Sequence, residues 1–178
     1  MVTIRPIRPD DRERLQRSHQ RLSPESRYRR FLAAKPDLTA TDAGHLVDID
    51  GRDHYALVAT VAEGDDEAIV AVARFVRLPK EPRTAEFAIV VGDPYQHEGL
   101  GGELLGRLAD AAVTRGVDRF HAITLADNLA IRRLITRVAD TPPDWHRDGA
   151  VAEVDFVLPQ RRDAGPPAPA IIAGCAGS

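Results

Sequence analysis

One stretch constrains this chain more than any other: an apolar strand-like segment that ends in a glycine-bearing turn and leads into a strongly periodic helix. Thr84 to Val91 is rich in apolar and β-branched residues, and Gly92-Asp93-Pro94 ends it. Leu100, Leu104, Leu105, Leu108, Ala111 and Ala112 then recur at helical spacing, which predicts a helix from about Leu100 to Arg115. Val117 to Leu125 reads as another strand. Two strands joined by a crossover helix are expected to lie parallel and adjacent. Gly99, Gly101 and Gly102 stand at the mouth of the helix. The first amides of a helix have no partner within it, and the helix dipole adds partial positive charge there. Glycine lets a ligand approach that backbone closely, so the turn is a seat for a pyrophosphate.

The rest of the chain supplies a sheet for this unit. Val2 to Ile7 alternates as a short strand, and Pro9-Asp10-Asp11 offers a turn and N-cap for a helix from about Arg12 to Leu22. Ser23-Pro24-Glu25 opens a second helix, Ser26 to Ala34, in which Arg27, Arg29 and Arg30 surround Tyr28 and Phe31. Thr41 to Val47 is a further short helix. His54 to Glu63 and Glu67 to Leu78 read as strands joined at Gly64-Asp65-Asp66. Pro79 to Arg83 reads as a loop. Asp127 or Asn128 caps a last helix to about Val138, with Ala130, Ile131, Leu134, Ile135 and Val138 as its expected buried stripe. Ala150 to Leu158 is the closing strand. The order predicts an α/β fold with a mixed sheet flanked by helices.

A domain spanning residues 1–158 has enough chain to bury one sizeable core, and the Pro, Gly and Ala content of 159–178 predicts a flexible tail. The net charge of −3 lacks the basic excess of nucleic-acid binders. A single cysteine, Cys175, excludes a disulfide framework and a cysteine-built zinc site within one chain. His45, His54 and His121 lack metal-ligand spacing, so no metal is expected. No apolar run approaches the roughly 20 residues of a membrane span, and the N-terminus has no signal-like apolar core. The expectation is a cytoplasmic protein with no membrane or nucleic-acid partner.

A dinucleotide fingerprint would need glycine where Leu104 stands, and no Gly-Lys-Ser/Thr ending makes a Walker loop. What remains is Gln96-x-x-Gly99-x-Gly101, set between a strand and a helix. This pattern resembles the CoA-binding loop of the GNAT N-acetyltransferase superfamily, and the order of elements from Val2 to Leu158 is similar to that fold. The resemblance implies a mostly antiparallel mixed sheet in which a splayed parallel strand pair holds acetyl-CoA as the acyl donor. It implies that Ala88, Ile89 and Val91 offer strand backbone to the pantetheine arm. Gln96, His97, Glu98, Gly99, Leu100, Gly101 and Gly102 would form the pyrophosphate loop. Many loops of the family carry basic side chains where this one has His97 and Glu98, so phosphate binding would lean on the backbone.

Glu86 interrupts an otherwise apolar strand, and Ala85-Glu86-Phe87-Ala88 resembles the matching strand of bacterial protein-lysine acetyltransferases within the superfamily, where this glutamate is the general base. An amine acceptor with a pKa of about 10.4 must lose a proton before it attacks a thioester. A partly desolvated carboxylate suits that task. The bland alternative is a solvated Glu86 paired with an arginine such as Arg74. Asn128 is either a contact to the cofactor arm, as the resemblance implies, or a plain N-cap. The tyrosine that often protonates the leaving thiolate in the family is replaced by Ile135. Leu22-Ser23-Pro24-Glu25-Ser26-Arg27-Tyr28 resembles the same subgroup near the acceptor site, so the acceptor is expected to enter near residues 12 to 34. These likenesses imply a protein lysine as acceptor. A small amine such as a polyamine or an aminoglycoside is the alternative, and a CoA-binding module without turnover is the alternative outside the enzymes.

Overall fold

A computed structural model of the chain describes residues 1–31 and 37–160. Its centre is an antiparallel meander built from the most apolar part of the sequence: β2 (His54–Glu63), β3 (Asp66–Leu78) and β4 (Glu81–Val91). The first strand, β1 (Thr3–Pro6), pairs with β2. On the other side β5 (Arg119–Leu125) lies parallel to β4, followed by β7 (Val151–Val157) and the edge strand β6 (Asp144–Asp148). The seven-stranded sheet therefore has the order β1-β2-β3-β4-β5-β7-β6, with β4–β5 as its one parallel pair among the described residues. The expected α/β architecture and the crossover are both present. No helix among the described residues is long and apolar enough to cross a membrane.

Alternation along the strands divides the core between two faces. On one, Ala73, Phe75, Ala85 and Phe87 meet Leu104, Leu105 and Leu108 of α4 (Leu100–Thr114). Phe87, Phe120 and Phe156 join there, with centroids 5.2 Å apart for Phe87–Phe120 and 5.6 Å for Phe87–Phe156. On the other face, Ala56, Val58, Ile69 and Val72 meet Leu15 of α1 (Arg12–Gln20) and Ala43 and Val47 of α3 (Ala40–Val47). α2 (Pro24–Phe31) lies on this second face against β4 and β5. α5 (Leu129–Val138) packs beside α4.

Several local readings need correction. Pro79 to Arg83 is not a loop: Leu78 pairs with Glu81, so the hairpin turns tightly at Pro79-Lys80 and β4 starts early. Arg77 holds this extension by donating to Pro82, to the Arg115 carbonyl at 2.6 Å and to Asp53 at 2.7 Å. β6 escapes a hydrophobicity reading because its sequence is Asp-Trp-His-Arg-Asp and only Trp145 is half-buried, with Arg132 4.3 Å above its ring. Asp11 does not cap α1 with its side chain. It is fully buried and binds Arg5 through both oxygens, at 2.7 and 2.8 Å. Burial pushes its pKa up, but Arg5, the Arg8 amide at 2.8 Å and Arg14 outweigh that and hold it below the usual carboxylate range. Of the stripe expected on α5, only Ile135 is buried. Ala34, most of the predicted tail and Cys175 lie outside the described residues.

Candidate active site

The site arises where the sheet comes apart. β4 and β5 share register only at Thr84–Arg119, Ala85–Phe120 and Glu86–His121. Beyond Glu86, β4 stays with β3 as far as Val91, and β5 stays with β7 as far as Leu125. The two strands diverge, and each presents to the other an edge of backbone amides and carbonyls that its sheet partner leaves unused. The opening is a cleft of about 570 Å³ lined by Phe87 to Val91, Ala122 to Thr124, the turn after β4 and the start of α5. Ala88, Ile89, Val91, Gln96, His97, Gly99, Gly101, Gly102 and Asn128, all singled out from sequence, line it.

Three of the expected residues do not line it. Leu100 is buried at 8% exposure and faces the core, so only its backbone can serve the turn. Glu98 is exposed outside the cleft wall. Glu86 stands at the last shared register position, at the apex of the opening, but is exposed rather than desolvated. The expected partner Arg74 is buried and bonds elsewhere, while the positive charge felt between α2 and Glu86 belongs to Arg30. Burial lowers the pKa of Arg30, and Glu86 opposes that shift.

The turn has the backbone of an anion seat. His97 at φ 67° and Gly99 at φ 85° are both left-handed, and α4 begins directly after. Alternation of left- and right-handed residues turns successive amides toward one concavity. The first helical bond runs from the Glu103 amide to the Gly99 carbonyl at 3.1 Å, so the amides of Leu100, Gly101 and Gly102 have no partner within the helix. Gly101 has a second reason: a Cβ there would lie 3.2 Å from Leu134 Cδ1, so glycine lets α4 and α5 close together.

Gln96 lines the cleft and also braces the turn. Its amide donates to the Val91 carbonyl at 3.0 Å and to Ser26 Oγ at 3.2 Å, bracing the turn against the strand end and α2. Asp93 completes the brace, accepting from the Ser23 amide at 2.9 Å and from the Ser23 and Ser26 hydroxyls at 2.8 Å each. Burial pushes the Asp93 pKa up, yet those donors hold it below the usual range. The Ser-Pro-Glu-Ser segment and the Gly-Asp-Pro turn, distant in sequence, are thus one structural unit. Asn128 caps α5, accepting from the Ile131 amide at 3.2 Å, and also lines the cleft. Ile135 is fully buried, so no hydroxyl at that position could reach the cleft without rebuilding the core.

Sequence reasoning singled out Arg29 and Arg30 as helix cations near the acceptor side but missed Arg133 and Arg137. Arg29 and Arg30 of α2 and Arg133 and Arg137 of α5 all line the cleft. Arg133 and Arg137 are four apart, on one face of α5 beside the turn. The loop itself carries no arginine or lysine, and a neighbouring helix brings two arginines to the same cleft. The i,i+4 arginine pair was a visible signal, hidden by reading α5 for its apolar stripe alone. Among the described residues no cluster of His, Cys, Asp and Glu could hold a metal ion.

The acetyltransferase (GNAT) domain profile matches residues 1–139. Acetyltransferase Pat of Mycolicibacterium smegmatis is 38% identical over 155 residues, 85% of this chain and 45% of that protein. This chain therefore spans less than half the length of that relative. Acetyltransferase PA5475 of Pseudomonas aeruginosa is 35% identical over 133 residues, covering 75% of this chain and 71% of that protein. Among solved structures, the GNAT domain of S. lividans PAT superposes with a TM-score of 0.78 at 30% identity, covering 88% of this chain and 90% of that one. A spermidine N-acetyltransferase from Vibrio cholerae, solved with CoA and spermine, shares the fold at a TM-score of 0.64 and 14% identity, covering 88% and 95%. The splayed strand pair, the anion-seating turn and these likenesses agree: this chain belongs to the GNAT family of acetyltransferases, whose acyl donor is acetyl-CoA.

Proposed function

We propose that this protein transfers the acetyl group of acetyl-CoA to the side-chain amine of a protein lysine, with Glu86 as the base. The observation that carries the reading is the position of Glu86. It sits at the apex of the strand divergence, two residues before Ala88 in the cleft wall, and it is open to an incoming amine. In this reading the diverging edges of β4 and β5 bind the pantetheine arm, and the amides from His97 to Gly102 bind the pyrophosphate. Arg133 and Arg137 add charge for the CoA phosphates. Glu86 takes a proton from the acceptor ammonium, the freed nitrogen attacks the thioester carbon, and a backbone amide of β4 stabilises the carbonyl oxygen. The C–S bond then breaks. With Ile135 buried where an acid would stand, water relays to the thiolate the second proton that the attacking nitrogen loses as it becomes an amide. The protein-lysine acceptor draws on the Pat relatives and on the Ala-Glu-Phe-Ala and Ser-Pro-Glu-Ser-Arg-Tyr likenesses.

A small polyamine is the second reading, and one observation favours it. Register places Glu86, His121, Asp155 and Asp144 in a row across β4, β5, β7 and β6 on the face that holds α2. That row presents three carboxylates to the acceptor side, an arrangement that suits a polycation.

Thiol release from acetyl-CoA tests both. The experiment offers a lysine peptide pool or spermidine to the wild type and to Glu86→Gln. Release with peptides that falls about a hundredfold or more in Glu86→Gln, with CoA binding kept, supports the first reading. Release only with spermidine replaces the acceptor. Unchanged release in the variant removes Glu86 from the mechanism, and CoA binding with no release from any amine leaves a binding module.

A further inference from the structure

Half of the sheet is sealed on one face only. Where β5 and β7 meet the α4 side, Phe120, Ala122, Val154 and Phe156 are buried in the core. Their neighbours in sequence point to the opposite face, the α2 side, and none of them is buried. Ile123 of β5, Glu153 and Asp155 of β7, and Asp144, His146 and Asp148 of β6 are exposed or half-buried there, Ile123 at 45%. Glu86 shares this face through its register with His121. Ile123 also lines the cleft, so the bare face runs into the site without a break.

The face is acidic, and its charge is not neutralised from within the chain. Elsewhere arginines hold Asp11, Asp53, Asp66, Glu67 and Asp118. On β7 and β6, Asp155 meets His121 at 3.3 Å and Asp144 meets His146 at 3.2 Å. Glu153 and Asp148 have no side-chain hydrogen bond or ion pair among the described residues, and no arginine or lysine pairs with any of these four carboxylates. The arginine of the face on these strands is Arg119, opposite Val157 at the end of β5 away from the cleft opening. Arg30 brings its charge to Glu86 from α2.

Charge selects the occupant. Nucleic acid and anionic lipid carry the wrong sign, and a second copy of this chain in a two-fold contact would set the same acidic strip against itself. A basic polypeptide complements it. Glu86, His121, Asp155 and Asp144 stand in line across β4, β5, β7 and β6. With strands about 4.8 Å apart, Asp155 lies about 10 Å and Asp144 about 14 Å from Glu86. An extended segment advances about 3.3 Å per residue, so these carboxylates face positions about three and four residues from the one held at Glu86. We propose that this face docks the acceptor protein and selects lysines whose extended segment carries a basic residue three or four positions away. The inference rests on the lysine-transfer reading above and adds its acceptor class.

Thiol release from acetyl-CoA tests this with two blocked peptides that share one central lysine. One carries arginine at the third and fourth positions on either side, and the other carries glutamine there, so each offers a single acceptor amine. The expected wild-type kcat/KM is about tenfold higher for the arginine peptide at low ionic strength, carried by KM, and the gap closes toward about 1 M salt. In the double variant Asp144→Lys, Glu153→Lys the ratio falls to about one or inverts. A wild type that is indifferent to the arginines overturns the proposal, whatever the variant does. A preference that persists in a folded variant also overturns it, because the charge is then read elsewhere. Sedimentation supplies another arm: a wild-type dimer that the double variant dissociates would assign the face to a second copy and overturn acceptor docking. Absence of turnover with either peptide refutes lysine transfer itself. Fluorescence anisotropy of the same two labelled peptides then decides the surface independently: tighter binding of the arginine peptide that is lost in the variant upholds it, and equal binding overturns it.

Discussion

Replacing Asp11 by alanine should remove about 3 kcal/mol of stability, a magnitude that follows from what surrounds it. Its carboxylate is fully buried and accepts from Arg5 Nη1 at 2.7 Å, Arg5 Nη2 at 2.8 Å, the Arg8 amide at 2.8 Å and Arg14 Nη1 at 3.3 Å. Breaking a buried ion pair from one side costs about 3–5 kcal/mol, mostly because the other charge is stranded. Arg5 would keep Glu67 at 2.8 Å, but that side chain is 42% exposed, so the compensation is partial and the low end of the range applies. At about 2–4 °C per kcal/mol for a domain of this size, the melting temperature should fall by about 6–12 °C. Urea denaturation of the two proteins at pH 7 measures the loss. A second axis checks the cause. The folded pKa of Asp11 is lowered, so its contribution is fully present above the unfolded value of about 3.9 and is lost as pH falls through the folded value. The stability gap between wild type and Asp11→Ala should therefore be complete at pH 7 and shrink below about pH 4. A loss under about 1 kcal/mol, or a gap that widens on acidification, would refute the claim that a desolvated Arg5–Asp11 pair ties β1 to the start of α1.

Two further outcomes follow from the cleft walls. Arg133→Ala and Arg137→Ala should each raise the Kd for CoA about tenfold, with a shallower salt dependence than the wild type; titration at two ionic strengths reads this, and unchanged affinity removes α5 from phosphate binding. Gly101→Val should lower the melting temperature and weaken CoA binding together, because its Cβ alone already meets Leu134 at 3.2 Å. Leu134→Ala in the same chain should recover part of both losses, and a double mutant no better than the single would show that the contact is not the cause.

The turn from Val91 to Gly102 was readable because its physics is local. An apolar strand, glycines and a helical period write their own backbone, and the first amides of a helix lack intrahelical partners whatever surrounds them. His54–Glu63 was likewise legible to its ends, since a strand covered on both faces demands the continuous apolar run that the sequence carries. β6 and the early start of β4 were not legible. Their charged residues pair as sheet for reasons of edge position and of Arg77 bonding, neither of which leaves a hydrophobic trace.

Side-chain roles divided in the same way. Gln96, Asp93 and Ser26 were visible as motif letters, but that they bond to one another depends on α2 folding back over the turn. The exposure of Glu86, the burial of Arg74 and the gathering of Arg29, Arg30, Arg133 and Arg137 around one cleft each depend on where separate helices land on the sheet. Short-range patterning by itself determined the main elements, apart from β6 and the start of β4, and the glycine-bearing turn that opens α4. Only the tertiary structure decided which charges meet, which are buried and where the strands part, because those are set by contacts between residues far apart in the chain.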